Sequence, residues 1–280
     1  MGQVRPAAGA ERGGLRQQIE AQRPAVGLFY NLPGAALVEM AGWAGFDFVV
    51  LDTEHGPLGF ESVHALVAAA EAAGTSAIVR VTENEPSLIL RALDSGAAGI
   101  VVPQVEDAGG ARRAVESARF PPAGRRGFAM STRSSRYGLL DLATYMDVSA
   151  RALMVCQVET ARALENLDDI AGVPGVDIVY VGPSDLAQSL GFGGRTDDPE
   201  LKRVVADTVG RLLKSGARVG LAVPDGESAA RWAAQGVVFL AIGACGVLGR
   251  ALRGTVAQAR AAPARGAGGE EGSTGGGVSA

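Results

Sequence analysis

The residues able to do chemistry in this 280-residue chain are few, and their scarcity narrows the options. Lys202 and Lys214 are the only lysines among 26 Lys+Arg, so a Schiff-base mechanism would have to use one of them. Both lie in LKRVVADTVGRLLKSG, whose period is that of a helix with one solvated face, and both read as surface lysines. His55 and His64 are the only histidines, which excludes a three-histidine zinc site within one chain. Glu159 and Asp185 each follow a short apolar run. Two convergent carboxylates suit a hard divalent cation, Mg²⁺ or Mn²⁺ with Co²⁺ as a further option. Helix capping or pairing with arginine is the alternative use of the same two residues. Arg80 stands between Val79 and Val81 in an apolar run, and a buried arginine needs an anionic partner. That partner is either an internal carboxylate or the carboxylate of a substrate held by a bidentate fork. His55 is of the residue type most suited to moving a proton, with Asp52 three residues earlier to orient it. His64 falls inside the next helical pattern and reads as a bystander. Cys156 and Cys245 sit apart in apolar runs and form neither a disulfide framework nor a CxxC site.

The elements that must position these residues are legible as a repeating pattern. Short, β-branched apolar runs occur at 25–30, 47–52, 76–81, 99–104, 153–159, 177–182, 218–223 and 237–243. Their near-continuous apolar character is that of strands buried on both faces. Amphipathic helical segments lie between most of them, and Gly74, Gly96 and Gly216 fall where helices should end. Eight such alternations predict an α/β fold, a single (β/α)8 TIM barrel, with a doubly wound open sheet as the alternative. No GxGxxG follows the first run and no GxxxxGK[ST] occurs, so dinucleotide and P-loop chemistry lose their main support. In a barrel the C-terminal ends of the strands share one face, where active sites are built. That face would collect Asp52, Glu54 and His55; Arg80; Gln104 and Glu106; Gln157 and Glu159; Ser184 and Asp185; and Asp225. One connection is unusually long: FPPAGRRGFAMSTRSSRYG, carrying Arg125, Arg126, Arg133 and Arg136, reads as a functional or assembly loop.

Composition agrees with one large core: 47% of residues are hydrophobic and 20% charged. The barrel domain is expected over residues 15–262, with disordered tails at 1–14 and 263–280, both poor in large apolar side chains. A net charge of −4 argues against a nucleic-acid partner. No apolar stretch approaches the ~18 residues of a membrane span, and the N-terminus carries no apolar leader. The chain is expected to be soluble and cytoplasmic, with no membrane partner.

The stretches GFDFVVLDTEHGP, RFPPAGRRG, QVET and VYVGPSDLAQSLG together resemble the HpcH/HpaI class II pyruvate aldolases, over roughly residues 15–255. The resemblance implies a (β/α)8 barrel assembled as a hexamer, a trimer of dimers. It implies a divalent metal on Glu159 and Asp185, with Gln157 beside it. It makes Arg80 the holder of the carboxylate and keto oxygen of a 2-oxo acid, and Asp52 and His55 the acid–base pair. It gives the main-chain N–H at Ser184 to the substrate carboxylate and sets Asp94 near a neighbouring subunit's site. The chemistry implied is carbon–carbon bond making or breaking through a metal-stabilised enolate, with an aldehyde or keto compound as acceptor. FAMSTRSSRYG also resembles biosynthetic relatives, including macrophomate synthase and the citrate synthase of siderophore pathways, so the acceptor stays open. A barrel that has lost catalysis and serves as a binding module is the other alternative; the intact set of site residues speaks against it.

Overall fold

A computed structural model describes residues 14–261. Eight parallel strands close into a barrel in chain order: β1 (Ala25–Tyr30), β2 (Phe48–Asp52), β3 (Ser76–Arg80), β4 (Gly99–Val102), β5 (Leu153–Val158), β6 (Ile178–Val181), β7 (Val219–Val223) and β8 (Phe239–Gly243). β8 returns to pair with β1, so no strand edge is left open. The predicted (β/α)8 barrel is therefore the observed fold, each apolar run having become one strand.

Alternate residues on a strand face opposite ways. One set fills the barrel interior: Phe48 and Val50 on β2, Ile78 on β3, Leu153 and Val155 on β5, Ile178 and Tyr180 on β6. The other set, including Val49, Val79, Met154 and Val179, packs outward under the helices. This parity positions the site. Continuing the inward set toward the strand ends brings in Asp52, Arg80, Gln157 and Glu159, all buried. Cys156 has the outward parity; burial pushes its thiol up to about 12 and leaves it chemically quiet.

The opposite end of the barrel is covered by α1 (Gly14–Glu20). Its Leu15 and Ile19 join the interior cluster, while Arg16 bonds the carbonyls of Arg151 and Ala152 and the Asp177 carboxylate at the start of β5 and β6. Outside lie α2 (Ala36–Ala44), α3 (Phe60–Ala72), α4 (Pro86–Asp94), α5 (Ala108–Ala118), α6 (Leu142–Ala150), α7 (Ala161–Glu165), α8 (Leu167–Ala171), α9 (Pro183–Ser189), α10 (Pro199–Lys214) and α11 (Gly226–Ala233); α12 (Ala244–Ala261) follows β8 in the chain. Gly96 follows α4 with φ of 89°, the left-handed backbone that ends a helix most readily at glycine. The described chain falls into two compact units, the barrel through Val247 and the remainder of α12 from Leu248. The expected tails fall almost wholly outside the described residues; Gly14 already belongs to α1. Among the described residues no helix is long and apolar enough to cross a membrane.

Candidate active site

Asp52 and Arg80 end neighbouring strands and are register partners. Both turn inward, and Arg80 Nε and one terminal nitrogen each donate to an Asp52 oxygen at 2.9 Å. The second terminal nitrogen lies 3.1 Å from Glu54 Oε2, and the guanidinium rests 4.6 Å from the Phe29 ring centroid. Burial works against the charge on Arg80, but the hydrogen bonds and charge of Asp52, with Glu54 and Glu159, hold its pKa above the ordinary arginine value.

The loop after β2 winds around Asp52, whose Oδ1 accepts the main-chain N–H of Glu54 at 3.0 Å and of His55 at 3.3 Å. Such turns are typical of aspartate. Gly56 is required here, because a Cβ would lie 2.5 Å from the Asp52 carbonyl oxygen. Asp52 thus fixes the backbone of His55. Its oxygens are committed to Arg80 and these amides, and the carboxylate beside the exposed imidazole is Glu54, with Oε2 3.9 Å from Nε2. The orienting role expected of Asp52 thus falls on the backbone of His55, and Glu54, given no role from the sequence, stands beside the ring. Burial, followed by the charges of Asp52 and Asp185, raises the Glu54 carboxyl, against the pull of Arg80 and His55.

Glu159 stands one residue beyond β5 and is 1% exposed. Its Oε1 accepts the Gln104 main-chain N–H at 2.9 Å, and its Oε2 accepts from the Gln157 amide. Gln104 adopts φ of 51°, an uncommon conformation for a residue other than glycine. Gly182 leaves the room these groups occupy: a Cβ there would meet Glu159 Oε2 at 2.7 Å. Asp185 and Ser184 are exposed in the first turn of α9, which Pro183 opens. Burial, and next to it the charge of Asp185, push the Glu159 carboxyl up to about 7, against the hydrogen bonds from Gln104 and Gln157.

These residues fit a hard divalent cation. Asp52, Glu54, Glu159 and Asp185 set four carboxylates against the one guanidinium of Arg80. The Gln157 Oε1 carbonyl is buried without a hydrogen-bond partner among the described residues. No group of three His, Cys, Asp or Glu that could enclose a metal occurs among them. An octahedral cation such as Mg²⁺ is commonly held by only one or two carboxylates, with waters and substrate oxygens completing the shell.

Other candidates are placed elsewhere. Asp225 caps α11 through the Ser228 N–H at 2.8 Å, and Glu106 accepts the Thr160 hydroxyl at 3.1 Å. Asp94 ends α4, a helix that starts from the site-bearing end of β3 and runs away from it; there it pairs with Arg126 at 2.7 Å. Arg125 pairs with Glu116 and Arg133 with Glu71, so these loop arginines bind the chain's own carboxylates. His64 bonds the Tyr137 hydroxyl at 3.0 Å. Lys202 and Lys214 lie exposed on α10. Glu54 and Gln104, expected at this face but given no role from the sequence, contribute a carboxylate beside Arg80 and a main-chain N–H to Glu159. The two-residue spacing of Asp52 and Glu54 was a signal for the first; a main-chain donor leaves none in the side-chain pattern.

A 2-dehydro-3,6-dideoxy-6-sulfogluconate aldolase of Pseudomonas putida is 36% identical over 80% of this chain and 88% of its own length. A pyruvate aldolase of Rhizobium etli is 37% identical over 82% of this chain and 90% of its own. A solved HpcH/HpaI aldolase/citrate lyase family protein of Burkholderia cenocepacia superposes with a TM-score of 0.83 at 32% identity, covering 89% of this chain and 99% of that one. A solved citrate synthase superposes with a TM-score of 0.79 at 30% identity, covering 89% and 98%. The profile of the HpcH/HpaI aldolase/citrate lyase family matches residues 25–248, and the chain belongs to that family.

Proposed function

We propose that this chain is a divalent-metal-dependent pyruvate-type aldolase, a carbon–carbon lyase acting on a 2-oxo acid and an aldehyde. The observation that carries this reading is the convergence of Arg80, His55, Glu159 and Asp185 at one mouth of the barrel, with both lysines outside it. Glu159 and Asp185 would hold the cation, with the Gln157 carbonyl beside them. When bound, the cation would supply positive charge to the carboxylate and keto oxygens of the 2-oxo acid.

The chain's own groups divide the remaining work. Arg80 holds the substrate carboxylate and faces the negative charge that grows on the keto oxygen during reaction. Ser184 lies in the first turn of α9, where main-chain N–H groups have no partner within the helix, and offers one to the carboxylate. In the cleavage direction His55 takes the proton of the C4 hydroxyl. The oxygen electrons form the aldehyde C=O, the C3–C4 bond breaks, and its electron pair remains as the enolate, which takes a proton at C3 to leave as the 2-oxo acid. Addition reverses each step. Asp94, in this reading, serves a neighbouring copy, because it lies at the far end of α4 from this chain's own site.

Likeness to a citrate synthase favours a second acceptor, a keto acid in place of an aldehyde. Three of the loop arginines that could grip its additional carboxylates are engaged with Glu116, Asp94 and Glu71, which favours the aldehyde. Incubation of pyruvate with a panel of aldehydes and with oxaloacetate, each with Mg²⁺, Mn²⁺ or Co²⁺, tests both. The aldehyde adduct is expected, and EDTA should abolish it. No adduct with any acceptor, or an adduct trapped by borohydride on Lys202 or Lys214, would overturn the reading.

A further inference from the structure

Glu54 sits between the two groups to which the proposed reaction gives different tasks. Its Oε2 is 3.1 Å from the outer nitrogen of Arg80 and 3.9 Å from His55 Nε2. That oxygen is buried and makes no well-aligned hydrogen bond to either group. Arg80 has little freedom elsewhere, since Asp52 occupies its Nε edge with two bonds at 2.9 Å. What remains for a substrate carboxylate is the outer fork, and Glu54 stands on one of its two nitrogens.

We propose that Glu54 is a positioning residue that couples the filling of Arg80 to the orientation of His55: it holds the outer Arg80 nitrogen before substrate arrives and passes to His55 Nε2 when a 2-oxo acid takes that fork. The inference rests on the site reading given above. Its direction follows from charge. The groups acting on Glu54 are Arg80 from β3, Asp52 from β2, Asp185 from α9 and His55 from its own loop. An arriving carboxylate adds a like charge at Arg80 and competes for the same N–H, while leaving His55 as the other attractive partner. The shift needed is about 1 Å, from 3.9 Å to hydrogen-bonding distance. A bond from Glu54 to Nε2 fixes the tautomer, leaves Nδ1 to take the proton, and stabilises the imidazolium then formed.

The test uses the full chain with Mn²⁺ or Mg²⁺. Removing the competing charge in Glu54→Gln should leave pyruvate binding as tight as in wild type or tighter. The same change should lower kcat of cleavage by about 10²-fold, because the imidazole loses its orienting carboxylate. A merely structural role would weaken binding and kcat together. Glu54→Asp, which keeps the charge, should recover part of kcat and serves if the glutamine variant does not fold. In a His64→Asn background His55 is the only histidine. There its ring nitrogen resonances should move on adding pyruvate, and should not move when Glu54→Gln is added. Resonances unmoved by pyruvate in the parent protein, or weaker binding with unchanged kcat in Glu54→Gln, would overturn the proposal. If the wild type neither binds pyruvate nor exchanges its methyl protons, the site reading itself falls, and the role of Glu54 with it.

Discussion

Glu159 is buried beside another carboxylate, and its ionisation therefore opposes folding. A carboxyl whose pKa is raised in the fold stabilises it fully below the unfolded value, near 4.5, and loses that contribution as pH rises to about 7. Glu159→Gln should accordingly stabilise chelator-treated protein at pH 8 by about a few kcal/mol, and make little difference below pH ~4. Thermal unfolding across that range checks the sign. The two residues of the proton and carboxylate path respond differently. His55→Ala should lower kcat by about 10²–10⁴-fold while pyruvate and metal still bind. Arg80→Ala would leave Asp52 buried without its counter-charge, a loss of about 3–5 kcal/mol that confounds any activity measurement. Arg80→Lys keeps the charge without the planar fork, and should lose most pyruvate binding by calorimetry. The inward residues were legible in the sequence because the two-residue period carries Asp52, Arg80, Gln157 and Glu159 into the barrel once the strand ends are known. Pairing across strands was not legible. The spacing in DTEHG sets Glu54 on the side of Asp52, but nothing in it announces that Asp52 will be consumed by Arg80.

The elements divide into those that build the mouth and those that close the far end. α1 was not singled out in the sequence, since its seven residues carry only two apolar anchors, Leu15 and Ile19. Their value comes from burial against the barrel interior, where Ile19 is 1% exposed. Ile19→Ala should cost about 2–5 kcal/mol in denaturant unfolding. Activity in the folded fraction should be retained, because the site lies at the opposite end. Above this plug, Phe48 stacks on Phe239 with ring centroids 4.0 Å apart. A Cβ on Gly27 would lie 2.1 Å from the Phe48 ring, so the glycine is what admits the aromatic layer. The strands and helix-ending glycines were readable from periodicity. The long segment between α5 and α6 was not, because it contains only a 3-10 turn, Arg133–Ser135, and draws its order from ion pairs such as Arg126–Asp94 and Arg133–Glu71.

At the scale of the molecule, that same segment presents Phe128, Tyr137 and Leu139 to solvent, with Leu139 87% exposed and Leu142 at the start of α6 beside them in sequence. Large apolar side chains left exposed along one segment are candidates for a contact surface. Light scattering should give a mass several times the 28.5 kDa of one chain, six times if the hexamer expected from the family resemblance forms. Leu139→Asp should lower it. A monomeric, fully active protein would refute the assembly expectation and the role given to Asp94. The central claim, that this barrel mouth withdraws a proton from C3 of a 2-oxo acid, needs no knowledge of the acceptor. It is tested most directly by proton NMR of pyruvate in D₂O with the purified protein. With Mn²⁺ or Mg²⁺ the methyl signal should decay as deuterium enters C3, and EDTA or Arg80→Lys should stop the decay. A methyl signal that persists with the metal-loaded wild type, or that decays equally without metal and in Arg80→Lys, would contradict the account.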